Sequence, residues 1–111
     1  MNNNFKVTII TPSFNSEKTI EKTIQSVLAQ DYPEIEFIIV DGGSTDKTLD
    51  IIKKYGNKIT KWISEPDKGI SDAFNKGLAL SGGQFINFQG SDDFFINNKA
   101  ISSMMDGIDP E

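Results

Sequence analysis

Residues 37–46 read FIIVDGGSTD, four consecutive apolar residues followed by a polar turn that contains two glycines. A short β-branched and aromatic run of this kind is typical of a strand that is buried on both faces of a sheet. Similar runs occur at residues 7–10, 59–63 and 85–88. The run at residues 59–63 alternates apolar with polar residues, so we predict that it forms an edge strand.

Segments with helical periodicity lie between these strands. Ser16 is the predicted N-cap of the first helix, and Ser44 or Asp46 is predicted to open the second. A weaker helical pattern covers residues 98–105. The repeated order of strand and helix predicts right-handed crossovers and a parallel sheet, hence one α/β domain over residues 1–111. The three main helices are predicted from apolar stripes at Ile20, Ile24, Val27 and Leu28, at Leu49, Ile52 and Tyr55, and at Ile70, Phe74 and Leu78.

Composition removes several classes of function. The chain has 111 residues and a net charge of -5, without a basic stripe, so nucleic acid is not an expected partner. It contains no cysteine and no histidine, which excludes disulfides, thiolate metal sites and the commonest general base. No apolar run approaches the roughly 20 residues of a membrane span, and the first four residues are polar, so a cytoplasmic protein is expected.

Polar residues follow all four predicted strands, at residues 11–15, 41–46, 65–69 and 90–93. In an open parallel sheet the carboxyl ends of the strands share one edge, and ligands bind there. The sequence therefore predicts a site at this edge. Asp41 is either a hydrogen-bond acceptor for a ligand or the carboxylate of a turn, and residues 42–45 form either a phosphate-binding loop or, as we favour, a tight turn.

Asp92 and Asp93 are adjacent carboxylates directly after the fourth strand. Such a pair repels itself unless a cation or hydrogen-bond donors compensate, and oxygen ligands suit Mg²⁺ or Mn²⁺. The alternative is a solvated acidic turn. An acidic protein that binds phosphates also needs a cation between the two.

Taken together, five segments resemble the family 2 glycosyltransferases of the GT-A fold. They are VTIITPSFN at residues 7–15, SVLAQDYP at 26–33, EFIIVDGGSTDKT at 36–48, DKGISDAFNKG at 67–77 and GGQFINFQGSDD at 82–93. The resemblance covers nearly the whole chain after residue 6. It implies a Rossmann-like, three-layer α/β/α fold with a mainly parallel sheet, of which this chain would be the N-terminal, nucleotide-sugar-binding part.

The resemblance also implies roles for individual residues. Thr11 and Pro12 match the loop that contacts the nucleotide base, and Asp41 matches an aspartate that binds the uracil or the ribose. Asp92 matches the last aspartate of the DXD motif, which holds the metal on the diphosphate, although Gly90 replaces the first. The metal residues are expected to be Asp92 and Asp93. The predicted residues of the nucleotide-sugar site are Thr11, Pro12, Ser13, Asn15, Asp41, Asp67, Gly90, Ser91 and Asp92.

The implied reaction is an inverting transfer of a sugar from a nucleoside diphosphate, UDP by preference, to a saccharide or lipid-linked acceptor. The family's catalytic base lies in the second half of its domain, so we expect it beyond Glu111 and expect this chain alone to be inactive. A truncated face is then predicted to support a homodimer. The resemblance further implies a place at the inner face of the membrane.

Two other interpretations fit parts of the sequence. A receiver-type signalling domain has a similar length and alternation, and would use Asp41 as its phosphoacceptor. That fold requires an acidic pair after the first strand, where this chain has Thr11 and Pro12. A non-catalytic module that binds nucleotide sugars is the second alternative.

Overall fold

Four parallel strands form the centre of the molecule. The computed structural model describes residues 5–91, 95 and 98–106. The strands are β1 (Val7–Ser13), β2 (Ile35–Asp41), β3 (Lys61–Ser64) and β4 (Phe85–Phe88), in the order β3-β2-β1-β4. β1 pairs with β2 along its whole length, and Ser13 lies opposite Asp41 at the carboxyl end. β1 and β2 are central and apolar, so they are buried on both faces, as predicted.

Helices cover both faces of the sheet. Helices α1 (Ile20–Leu28), α2 (Thr48–Lys54) and α4 (Ala100–Asp106) pack on one face, and α3 (Ile70–Leu80) packs on the other. Side chains that alternate along a strand serve the two layers in turn: Ile9 and Ile39 face α1 and α2, whereas Ile10 and Val40 face α3. The three-layer α/β/α arrangement and the parallel sheet are therefore confirmed.

Three local predictions were wrong. The third strand was predicted from residue 59, but β3 begins at Lys61, because the 3-10 turn Gly56–Lys58 precedes it and Ile59 packs into the core. Its position at the edge of the sheet is as predicted. Ser16 does not cap α1, because the chain first makes a turn in which the Ser16 carbonyl accepts the amides of Thr19 and Ile20. The fourth strand is not buried on both faces.

The exposed side chains of β4 are Ile86 and Phe88, at 37% and 46% of their maximal accessible surface. β4 is an edge strand in the described sheet, and the ring of Phe88 contacts the ring of Phe74 of α3, with the ring centroids 4.1 Å apart. Ile70 and Leu78 of α3 are also exposed. We call Leu78, Ile86 and Phe88 the β4–α3 apolar surface; Ile70 is left out because it lies at the carboxyl ends of the strands.

A buried carboxylate fastens the amino ends of the strands. Glu36 is 5% exposed and accepts hydrogen bonds from the Thr8 hydroxyl at 2.8 Å and the Gly82 amide at 2.7 Å. Lys61 lies 3.4 Å from its other oxygen. Burial alone would raise the pKa of Glu36, but these partners outweigh it and hold that pKa below its usual value. No helix in the described part of the chain is long and apolar enough to cross a membrane.

Candidate functional site

A cavity of about 930 Å³ opens at the carboxyl ends of the strands, where the sequence predicts a site. The loop after β1 forms one wall, and residues that follow β2, β3 and β4 complete it. The predicted residues that line this cavity are Pro12, Ser13, Asn15, Asp67, Gly90 and Ser91. The predicted residues Thr11 and Asp41 are buried beneath it, and Asp92 lies outside the described residues.

The carboxylate of Asp41 is fully enclosed by the protein. Its residue is 0% exposed, and its two oxygens accept five hydrogen bonds. The hydroxyls of Ser13, Ser44 and Ser64 donate at 2.7, 2.6 and 2.9 Å. The amides of Gly43 and Ser44 donate at 3.1 and 2.8 Å. A carboxylate has about four lone-pair positions, so this set already satisfies Asp41.

These bonds also set the charge of Asp41. Burial would raise the pKa of its carboxyl, but the Ser44 hydroxyl and amide, followed by the hydroxyls of Ser13 and Ser64, hold the pKa below its usual value. Asp41 is thus an ionised anchor at which β1, β2 and β3 meet. An enclosed carboxylate cannot accept a phosphoryl group without opening this network, so the receiver-type interpretation loses its phosphoacceptor.

The turn after β2 is a tight turn and not a phosphate-binding loop, as we favoured. Gly43 has a φ of 88°, a left-handed conformation that suits glycine. Its amide and that of Ser44 donate to Asp41, and the amide of Thr45 donates to the side chain of Asn15 at 2.8 Å. These three amides therefore have partners within the protein and are not presented to an anion.

Asn15 joins the loop after β1 to the loop after β2. It adopts a φ of 47°, which asparagine tolerates better than most residues. Its own amide donates to the Ser44 hydroxyl at 2.8 Å, and its side-chain oxygen accepts the amide of Thr45. Asp46 accepts the amide and hydroxyl of Thr48 at 2.9 and 2.6 Å. The N-cap of α2 is nevertheless Lys47, one residue after the predicted Asp46. The two loops form one braced wall of the cavity.

Ser91 is fixed where the cavity meets β4. Its hydroxyl lies 2.8 Å from that of Ser16, and its carbonyl accepts the Thr23 hydroxyl of α1 at 3.0 Å. The predicted metal ligands Asp92 and Asp93 follow directly in the chain and lie outside the described residues. Within residues 5–91, 95 and 98–106, no cluster of three or more metal-binding side chains is present.

Thr11 lies in the interior of the sheet and does not line the cavity. It is 0% exposed, and its hydroxyl has no hydrogen-bond partner in the described part of the chain. The side chain of Pro12, its neighbour, is the one that reaches the cavity. The structure therefore does not bring Thr11 to the surface of the cavity, and its contact with the nucleotide base stays a prediction.

Some lining residues were missed from the sequence. Glu17, Lys18 and Asp46 line the cavity, and so does Phe14, which is 60% exposed. The signal for Phe14 was available, since it is an aromatic residue in a polar turn after a buried strand. With Asp67, the described lining has three carboxylates and one lysine side chain, so the cavity wall carries an acidic balance.

Comparisons with known proteins place this geometry in context. The family model "Glycosyl transferase family 2" matches residues 8–111. The poly(ribitol-phosphate) beta-N-acetylglucosaminyltransferase TarS of Staphylococcus aureus is 37% identical over 109 residues, covering 94% of this chain and 19% of TarS. The UDP-Glc:alpha-D-GlcNAc-diphosphoundecaprenol beta-1,3-glucosyltransferase WfgD of Escherichia coli is 38% identical over 96 residues, covering 86% of this chain and 38% of WfgD.

Solved structures match the fold. The crystal structure of S. aureus TarS 1-349 in complex with UDP-GlcNAc has a TM-score of 0.83 and 35% identity, covering 91% of this chain and 30% of that one. Glucosyl-3-phosphoglycerate synthase from Mycobacterium tuberculosis, in complex with Mn²⁺, UDP and glucosyl-3-phosphoglycerate, has a TM-score of 0.66 and 28% identity, covering 78% of this chain and 33% of the synthase. The chain thus spans less than two fifths of each of these relatives.

Proposed function

This chain is a member of glycosyltransferase family 2, and we propose that it binds the nucleoside-diphosphate sugar of a sugar-transfer reaction in the cavity at the carboxyl ends of its strands. One observation carries the proposal: this cavity gathers six of the nine residues that the sequence predicts for the nucleotide-sugar site. The similar chain of TarS was crystallised with UDP-GlcNAc, which supports a UDP-sugar as the donor.

The order of the strands suggests how the donor lies. Asp67 follows β3 at one edge of the sheet, and Ser91 follows β4 at the other. Three interstrand intervals of about 4.8 Å separate these edges by about 14 Å, roughly the length of a nucleoside diphosphate in an extended form. With the diphosphate beside Asp92 and Asp93, the base lies on the side of β2 and β3.

A divalent cation fits the charge of this cavity. Its described wall carries the carboxylates of Glu17, Asp46 and Asp67 against the single ammonium of Lys18, so a diphosphate would meet net negative charge. We propose that Asp92 and Asp93 hold Mg²⁺ or Mn²⁺; the similar synthase from M. tuberculosis was crystallised with Mn²⁺ and UDP. The ion would neutralise charge on the leaving diphosphate. The protein's own part is to position the donor with the braced loops after β1 and β2.

We propose an inverting transfer in which a carboxylate takes the proton of the acceptor hydroxyl; that carboxylate belongs to a part of the family's domain outside the region that residues 1–111 match, so these residues by themselves bind the donor without transferring the sugar. The names of TarS and WfgD specify a poly(ribitol-phosphate) and a lipid-linked diphosphate. They support a saccharide or lipid-linked acceptor. From the family resemblance alone, we propose that the transfer takes place in the cytoplasm at the inner face of the membrane.

We also propose that the chain forms a homodimer through the β4–α3 apolar surface. Exposed Ile86 and Phe88 lie on an edge strand, where apolar side chains and unpaired backbone groups favour association with a second copy.

Calorimetric titration of UDP in the presence of Mn²⁺ tests the proposed function. We expect saturable binding by the full chain and a loss of at least about tenfold in affinity for Asp92→Ala, since one charged ligand of the ion is removed. An Asp50→Asn variant, which changes charge on the exposed side of α2, serves as the control. Unchanged heats in Asp92→Ala would refute the metal role, and no binding by the unmodified chain would refute the function.

A further inference from the structure

The carboxylate of Asp67 occupies the space that a side chain on residue 42 would fill. A Cβ atom on Gly42 would lie 2.7 Å from Oδ2 of Asp67 and 3.0 Å from its Oδ1. Real Cβ atoms essentially never approach a non-bonded heavy atom of a distant residue closer than 3.0 Å. A side chain at residue 42 and the present position of Asp67 therefore exclude each other.

Backbone geometry does not explain the glycine at residue 42. The glycines with positive φ in the described part of the chain are Gly43 and Gly69, and Gly42 is not among them. Its amide donates to the carbonyl of Ser13 at 2.9 Å, so it continues the ladder between β1 and β2. An L-residue could adopt this backbone, but its Cβ atom would displace the carboxylate of Asp67 from its present position.

Asp67 has the hydrogen-bonding capacity that Asp41 lacks. Asp67 lines the cavity and is half-buried, and the donor to it within the described part of the chain is the amide of Gly69, at 3.1 Å to Oδ1. A carboxylate accepts up to about four hydrogen bonds. Oδ2 is therefore available to a ligand, whereas the five donors around Asp41 leave it none.

We propose that Asp67, placed over Gly42, selects the nucleobase of the donor by accepting a hydrogen bond from a ring N–H that lies beside a carbonyl, as in uracil or guanine. The proposal rests on the proposed function, which puts the base on the side of β2 and β3. Cytosine and adenine present an unprotonated ring nitrogen at the equivalent position, and its lone pair would face the carboxylate. Asp67 thereby takes the role that family resemblance assigns to Asp41.

The ratio of two dissociation constants isolates this contact. UDP and CDP share ribose and diphosphate and differ only in the base, so the proposal predicts that CDP binds the full chain about 10- to 100-fold more weakly than UDP. GDP and ADP give the same comparison for purines and decide between uracil and guanine as the preferred base. All titrations are run with Mn²⁺.

Three variants separate recognition from support of the loop. Asp67→Asn can both accept and donate, so it suits cytosine as well as uracil, and the ratio should fall to within about threefold of one. Asp67→Ala should weaken UDP about tenfold or more and also lose the preference. In the double variant Gly42→Asp with Asp67→Ala, the new carboxylate enters the vacated space and should restore the preference for UDP.

The control is Asp50→Asn, which makes the same charge change on an exposed residue of α2. It should keep both the affinity and the ratio of the unmodified chain. A ratio in Asp67→Asn equal to that of the unmodified chain would overturn the inference while the proposed function stands. Failure of the unmodified chain and the control to bind any of the four nucleotides would overturn both.

Discussion

Replacement of Asp41 should cost the domain a large part of its stability, because five donors converge on a carboxylate that water does not reach. Asp41→Ala leaves these donors without their acceptor. An unsatisfied buried donor costs about 1–3 kcal/mol, so the amides of Gly43 and Ser44 alone predict a loss of about 2–6 kcal/mol. The total free energy of unfolding of a native protein domain is about 5–15 kcal/mol. Asp41→Ala should therefore unfold at much lower urea concentrations.

Asp41→Asn should be milder, and the reason lies in the two kinds of donor. The hydroxyls of Ser13 and Ser44 donate to one carboxylate oxygen and can rotate to accept from an NH₂ group in its place. The Ser64 hydroxyl and the amides of Gly43 and Ser44 donate to the other oxygen, and the two amides cannot reverse. If the oxygen of the new side chain faces those two N–H groups, all the hydrogen bonds can still form, and the main loss is the extra strength that the negative charge gave them. We expect about 2 kcal/mol at pH 7, measured by urea denaturation followed by circular dichroism.

The pH dependence gives a second measurement of the same interaction. The pKa of Asp41 is lowered in the folded chain, so its contribution is present above the unfolded pKa of about 3.9 and is lost as pH falls through the lower folded value. The stability gap between the unmodified chain and Asp41→Asn should be constant from pH 7 to about 5 and shrink below about 4. A gap under about 0.5 kcal/mol at pH 7, or one that persists unchanged to pH 3, would refute the anchor role.

Three further variants test other parts of the molecule. Glu36→Gln should lower the free energy of unfolding by about 1–3 kcal/mol at pH 7, and by less below about pH 4, because the stabilisation linked to the lowered pKa of Glu36 is lost in acid. The variant should bind UDP normally, because Glu36 lies at the amino ends of the strands; weakened UDP binding in a folded variant would contradict this. Thr11→Val should be neutral or stabilising by up to about 1 kcal/mol in urea denaturation, since it removes a buried hydroxyl without a described partner; a loss above about 1 kcal/mol would reveal a missing partner. Ile86→Lys should weaken self-association at least about tenfold in sedimentation, with Asn57→Lys, at an exposed residue away from β4, as its control. An unmodified chain that stays monomeric at high concentration would rule out the homodimer.

The sequence predicts the layers of this fold well because the strongest signals are local. The apolar runs of β1 and β2 and the stripe of α1 require burial whatever surrounds them. Boundaries were less predictable where tertiary contacts decide: Ile59 packs into the core from a turn, and Ser16 bonds to Ser91, 75 residues away, instead of capping a helix.

The sequence predicted where the site lies, but it did not predict which residue has which role. Four polar strand ends had to meet at one edge of a parallel sheet, and the described ends do. Which carboxylate is free depends on register, because Ser13 and Ser64 reach Asp41 only where β1 and β3 pair with β2. The contact between Asp67 and Gly42 also depends on residues far apart in the chain. In the sequence alone, Gly42 indicates only a turn.

Hydrogen–deuterium exchange with and without UDP and Mn²⁺ tests most directly whether the cavity at the carboxyl ends of the strands holds the nucleotide. We predict that UDP slows exchange in residues 12–19 and 65–70, which border the cavity, and leaves residues 81–84 at the opposite edge unchanged. Protection confined to residues 81–84, or none in either cavity segment under conditions where calorimetry detects binding, would contradict the account.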